Sequence, residues 1–422
     1  MISRMPGSTA NSSGARSRGR KRLLAAILLT FSLLVVECIS RLLFPLPEET
    51  SFNRIDYSEI IGPERAKVPP LANASFVWSS SPDGVTFRHD LNEYGFRDRT
   101  WPLRPKAGHR RIMFVGDSFV EGFMAESTQT IPAGFEIAAG KDGRQIEAMN
   151  LGVGASQPQD YCKLIRDAVP LFKPDCLVVV FYANDFPSPA FDAAWLAPAF
   201  TPRFRNPWTP RLYTVVRRLL SRQPVPLCFR RPSFSFIAAV PDPRNPWSSS
   251  ETAASYRKFV SPKIAEAMQH GTFNPTAVNG LERDRVNLAV SSDMLPLLEA
   301  LLAFSKSHAC RLSVVYLPSA NQVSDAYLPF RSEYSENKHP ESLMGERHQL
   351  HARLLKSACA QLNIPFLDVT PPLREREAAG ERLYWNYDPH MRGTSYLMLG
   401  EWIYQWFSAT DTAGAVSSRI AK

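Results

Sequence analysis

The sequence predicts an α/β domain built on a parallel sheet with helices covering both faces. From Arg111 onward, short β-branched runs alternate with helical ones, the pattern of strand–helix crossovers. The leading run, Ile112-Met113-Phe114-Val115, stops at a tight Gly116-Asp117-Ser118 turn. A serine at the C-terminal end of a strand lies where an open α/β sheet places its chemistry. At 422 residues the chain exceeds the usual single-domain size, so one large domain with appendages or insertions is expected.

The N-terminal elements come first. Arg4, Arg16, Arg18, Arg20, Lys21 and Arg22 precede any acidic residue, and without these six only +3 of the net charge of +9 remains. That distribution argues against a nucleic-acid footprint. Residues 1–22 read as a basic cytoplasmic tail. Leu23 to Phe44 is predominantly apolar, with Glu37 and Arg41 near its far end as its charged residues, and its 22 residues span about 33 Å, enough to cross a hydrocarbon core. The basic flank puts residues 1–22 in the cytoplasm and the rest outside, with residues 23–44 as a signal anchor. A cleaved signal peptide is the rival reading, opposed by the length of the apolar run and by the lack of a small-x-small cleavage site.

Residues 45–91 are rich in Pro, Ser and Asn, and read as a linker and irregular lead-in. Asn92 to Arg97 is a dense spot, expected to be an ordered turn. The domain itself is expected over residues 92–408, followed by a tail at 409–422. Its strands are predicted at Ile112 to Val115, Ile146 to Asn150, Leu177 to Phe181, Leu312 to Leu317 and Pro365 to Asp368. Helices are predicted around Ile131 to Ala139, Asp160 to Leu171, Asp293 to Ser307, Gly345 to Leu362 and Thr394 to Phe407. Right-handed crossovers then bring every strand's C-terminal end to one edge.

Residues from Phe186 to about Pro296 break this rhythm and are dense in proline and arginine. A structureless loop of that length is disfavoured, so a long inserted cap is expected at about 186–296. Within it, Leu212, Val215, Val216, Leu219 and Leu220 share one helical face, which suits either a docked cap helix or an interfacial helix on the anchoring membrane. None of the six cysteines is in a CxxC pair, which points away from zinc and redox motifs and towards buried structural thiols.

A serine hydroxyl near neutral pH needs a base, an orienter for that base, and donors for the developing oxyanion. His390, in Asp388-Pro389-His390 just before the last helix, is the candidate base, and Asp388 the candidate orienter. His339, His348 and His351 lack this arrangement. Oxyanion donors are expected after the second and third strands. Gly152-Val153-Gly154 offers backbone N–H groups with no Cβ in the way, and Asn184 offers a side-chain amide. Asp117 and Asp185 are expected to brace their turns.

Ser118, Gly154, Asn184 and the Asp388/His390 pair follow the first, second, third and last predicted strands in that order. The order and the local motifs resemble the SGNH/GDSL hydrolase superfamily over about residues 92–407, interrupted by the insertion. The resemblance implies a flavodoxin-like three-layer α/β/α sandwich that cleaves or transfers acyl esters without a cofactor or metal. It further implies Ser118 as nucleophile, His390 as base oriented by Asp388, and the Ser118 N–H, Gly154 N–H and Asn184 side chain as oxyanion hole. Three departures stand out. The acid lies two residues before the histidine instead of three, as in the alginate-acetylation branch; Tyr182 stands where the third block commonly begins with glycine; and the second block is compressed, leaving Gly152 as an alternative donor.

The expected function is an extracytoplasmic, membrane-anchored serine esterase acting on an acyl ester, including acyl groups on a carbohydrate. The alternatives are an O-acyltransferase modifying an envelope or secreted polysaccharide, and a catalytically silent carbohydrate-binding or assembly protein that kept the fold.

Overall fold

The computed structural model describes residues 12–43, 75–80, 85–92, 94–154, 156–186, 190–197, 233–236, 294–328, 342–386 and 388–420, with residues 210, 212, 213, 216 and 220. Contacts separate two compact units, one within Met1–Glu48 and Arg203–Arg231, the other within Glu49–Pro202 and Pro232–Lys422.

In the first unit, α1 (Ser12–Leu43) contains one stretch, Arg20–Arg41, long and apolar enough to cross a membrane. Leu24, Leu28 and Phe31 are exposed along it. The Glu37–Arg41 spacing closes as an ion pair at 2.6 Å. Glu37 also accepts the Leu212 N–H at 3.0 Å. Of the expected 210–222 helix, Leu212, Tyr213, Val216 and Leu220 are helical, and the rest lies outside the described residues.

The second unit carries two sheets. The lead-in departs from expectation: β1 (Ser75–Ser80) and β2 (Val85–Asp90) form an antiparallel hairpin within residues 45–91. The alternation of Val85-Thr86-Phe87-Arg88 and the short apolar run Phe76-Val77-Trp78 carry the strand signal, masked by the polar, proline-rich surroundings. β6 (Ser233–Phe236), from the insertion, pairs parallel with β1.

The main sheet is parallel throughout, formed by β3 (Arg110–Gly116), β4 (Ile146–Gly152), β5 (Cys176–Tyr182), β7 (Arg311–Leu317) and β8 (Phe366–Asp368). Its spatial order is β4-β3-β5-β7-β8. Counted in chain order this is 2-1-3-4-5, the flavodoxin-like arrangement, whose switch-point crevice lies between the C-terminal ends of β3 and β5. Alternate strand residues face opposite ways. Met113, Val115, Leu177 and Val179 join one core with α4 (Pro158–Phe172), α5 (Met294–Ser307) and α6 (Leu350–Leu362). Ile112, Phe114, Val178 and Val180 join the other with α3 (Ile131–Lys141), α7 (Thr370–Ala378) and α8 (Gly393–Ile420). β3, β4, β5 and β7 are buried on both faces almost throughout, which is why they read as largely apolar runs, whereas the edge strand β8 is half-buried.

Two helices differ from expectation. The Thr370–Ala378 helix escapes the sequence pattern because two prolines open it and its run is highly charged, with Leu373 as its fully buried apolar anchor. The last helix continues beyond Phe407 to Ile420, where Asp411 pairs with Arg110 and Arg311. Cys162, Cys176, Cys310 and Cys359 are buried free thiols.

Candidate active site

The leading strand delivers its serine on a one-turn helix, α2 (Ser118–Glu121). The Asp117 side chain caps that turn by accepting the Phe119 N–H at 2.9 Å. Gly122 ends it at φ 80, a left-handed conformation that glycine adopts without steric cost, with its N–H on the Ser118 carbonyl at 3.1 Å.

His390 arrives from a loop locked on several sides. Trp385 N–H donates to the His390 carbonyl at 3.0 Å and Arg392 N–H to the Leu383 carbonyl at 2.8 Å. The Trp385 indole N–H donates to the Met124 carbonyl at 3.0 Å. Phe119 and Phe123 hold the imidazole between them, each with its ring centroid 4.8 Å away. Phe119 also stacks on Tyr182 at 3.9 Å, so the residue at the unusual start of the third block packs against the serine turn.

The sequence-predicted Ser118, Asp388 and His390 come together. Ser118 Oγ lies 2.7 Å from His390 Nε2, and His390 Nδ1 lies 2.6 Å from Asp388 Oδ1. The same Asp388 oxygen accepts the His390 backbone N–H at 2.9 Å, which the two-residue spacing permits. An ionised carboxylate only accepts, so Nδ1 carries the proton and Nε2 is left to accept from the serine hydroxyl. The histidine and aspartate side chains are 13% and 18% exposed, screened from bulk water yet reachable.

The expected oxyanion donors divide. Asn184, on the turn after β5, lies beside Asp117, whose carboxyl burial pushes up to about 6 against the opposing pull of the Phe119 N–H, His390 and the Asn184 amide. The Asp185 carboxylate accepts the Tyr161 hydroxyl and the Tyr182 N–H, both at 2.8 Å, and so braces the turn that presents Asn184. The glycine block departs from expectation. Gly154 N–H donates to Glu121 Oε2 at 2.8 Å, and the alternative donor Gly152 gives its N–H to Asn150 Oδ1 at 3.0 Å. Both N–H groups are therefore held by the protein's own acceptors.

Three neighbouring residues fall outside the predicted site. Glu121, His89 and Arg97 are buried beside it, with His89 Nδ1 3.5 Å from Glu121 Oε1. Burial, then the Arg97 guanidinium, pushes His89 down to about 4. The Arg97 guanidinium donates to the carbonyls of Gly122 and Ala125. The available signal was the glutamate inside the serine block itself, an acid directly after two apolar residues of a turn that is otherwise buried. Among the described residues, no three His, Cys, Asp or Glu side chains gather as a metal site.

Four motif blocks in chain order at one edge of a 2-1-3-4-5 parallel sheet decide the layout. That layout is the flavodoxin-like α/β arrangement. No family model matches this chain, and no curated protein does. Among solved structures it is similar to a lipase/acylhydrolase from Enterococcus faecalis, at 14% identity and a TM-score of 0.34, over 70% of this chain and 94% of that one. It is also similar to a putative lipolytic protein of the G-D-S-L family from Desulfitobacterium hafniense, at 11% identity and a TM-score of 0.33, over 70% and 98% of the two chains. A catalytic mutant of an acetylxylan esterase from Geobacillus stearothermophilus gives 12% identity and a TM-score of 0.33, over 71% and 92%.

Proposed function

We propose that this chain is a serine esterase in which Ser118 attacks an acyl ester, His390 takes the hydroxyl proton through Nε2, and Asp388 orients and charge-stabilises the imidazole. The observation that carries the reading is the continuous hydrogen-bonded chain Ser118–His390–Asp388, at 2.7 and 2.6 Å. Attack forms a bond between Ser118 Oγ and the acyl carbon; His390 then returns its proton to the leaving alcohol, giving an acyl-enzyme. Water, deprotonated by the same imidazole, releases the acid. The Asn184 amide and the Ser118 N–H are the oxyanion donors in this scheme, joined by Gly154 only insofar as it shares its N–H with Glu121. The apolar segment at residues 23–44 anchors the enzyme, with the catalytic unit on the extracytoplasmic side, a reading supported by the basic N-terminal flank.

Ser118→Ala is expected to abolish turnover of p-nitrophenyl acetate by folded protein, and unchanged turnover refutes the assignment. Transfer of the acyl group to a sugar hydroxyl is the second reading, favoured by the two-residue Asp388–His390 spacing and the anchoring helix. Incubation with acyl donor and oligosaccharides, read by mass spectrometry, separates the two: acylated sugar supports transfer, and free acid alone supports hydrolysis.

A further inference from the structure

A four-residue helix makes too few internal hydrogen bonds to hold its own geometry, so the position of Ser118 depends on what grips α2 from outside. Its N-terminal end is gripped by the Asp117 cap. Its C-terminal end meets the glycine block in two ways. The backbones touch directly: a Cβ on Gly152 would stand 2.0 Å from the Glu121 nitrogen, so only glycine allows the approach. The Glu121 side chain then reaches past that contact, and its Oε2 accepts the Gly154 N–H at 2.8 Å. Glu121 is 1% exposed, in a setting where a charge-assisted hydrogen bond is strong. On the far side of the carboxylate stand His89 at 3.5 Å and the charge of Arg97, whose guanidinium holds the Gly122 and Ala125 carbonyls just beyond the helix.

We propose that Glu121 is a positioning residue for Ser118, pinning the C-terminal end of the serine's helix to Gly154 and so fixing Oγ at hydrogen-bond distance from His390. The proposal rests on the esterase reading given above. It makes reach, more than charge, the property that position 121 must supply: the acceptor oxygen has to arrive at Gly154. Glutamine preserves that oxygen at the same distance from the backbone and gives up the charge. Aspartate keeps the charge facing Arg97 and His89 and withdraws the oxygen by one methylene.

The test compares Glu121→Gln and Glu121→Asp in the full-length, detergent-solubilised protein with p-nitrophenyl acetate. The glutamine variant is expected to keep kcat within about 3-fold, and the aspartate variant to lose roughly 30- to 100-fold in kcat with KM little changed, the size of effect that an ångström-scale misplacement produces. A purely electrostatic role predicts the reverse order. Aspartate at least as active as glutamine overturns the proposal, as does failure of either variant to fold, since Glu121 would then serve stability. Ser118→Ala in the same assay separates the two levels. Turnover that persists without Ser118 overturns the esterase reading and this proposal with it, whereas turnover lost in Ser118→Ala, with aspartate equal to or above glutamine, overturns only the proposal.

Discussion

Two buried arginines sit at opposite ends of the central strands, and they are solvated by the protein in opposite ways. Arg111, at the N-terminal end of β3, has all its guanidinium donors engaged: Nε and Nη2 on Glu147 at 3.0 and 2.8 Å, and the remainder on the Phe172, Leu103 and Pro102 carbonyls. Arg97, at the C-terminal end, spends its Nη groups on backbone carbonyls and faces Glu121 only through space. Glu121, the carboxylate whose charge acts most strongly on it, accepts the Gly154 N–H. At the silent edge, buried charge is satisfied locally and serves the fold. At the reactive edge, a similar set of charges is arranged around the serine turn, where a carboxylate aimed at a backbone N–H fixes geometry.

The largest effect on turnover is expected at the serine turn. Asp388→Asn is expected to leave the fold intact and lower kcat by about 10⁴-fold, the loss that follows when the triad carboxylate becomes an amide and the imidazole tautomer is wrong. Steady-state kinetics with p-nitrophenyl acetate checks this. At the silent edge, Arg111→Met strands the Glu147 carboxylate in the core and is expected to cost about 3–5 kcal/mol of stability while kcat per folded molecule is unchanged. Denaturant melts with activity assays on the folded fraction read both quantities. Asn184→Ala is expected to lower kcat by about 10²- to 10³-fold with KM little altered, the usual loss for one oxyanion donor.

The smallest effect concerns pH. His89 is held at about 4 in the fold against 6.5 for the free side chain, mainly by burial. The unfolded chain therefore binds more protons between those values, and stability contributed by neutral His89 is present above pH 6.5 and lost as pH falls towards 4. The buried Asp98 works the other way: burial raises it from 3.8 to about 6, so its contribution is lost as pH rises through that window. His89→Asn is expected to reduce the acid-side loss of Tm between pH 6.5 and 4 by about 3 °C, and Tm measured across this range in both proteins checks it.

The sheet was legible because its inner strands are buried on both faces and read as largely apolar runs between turn residues; each predicted strand is present within two residues at either end. The hairpin of β1 and β2 was not, since only a few alternating residues mark it within a polar, proline-rich stretch. The meeting of Ser118 with Asp388 and His390 followed from block order, as parallel crossovers return every strand end to one edge. What the sequence left hidden was the direction of backbone N–H groups. Gly152 and Gly154 have the residue type of oxyanion donors, but which acceptor each N–H faces depends on Asn150 and Glu121, whose side-chain directions follow from packing and not from motif. His89 was illegible for the same reason: it lies on the unpredicted hairpin, and only the folded chain sets it beside Glu121.

Ser118 as the nucleophile is tested most directly by covalent labelling with a fluorophosphonate, followed by mass spectrometry of the peptide that contains Gly116-Asp117-Ser118. A serine activated by the His390–Asp388 pair is expected to take one phosphonyl group on Ser118, with labelling abolished in His390→Ala as well as in Ser118→Ala. Folded protein that remains unlabelled, or labelling that maps to another residue, contradicts the account.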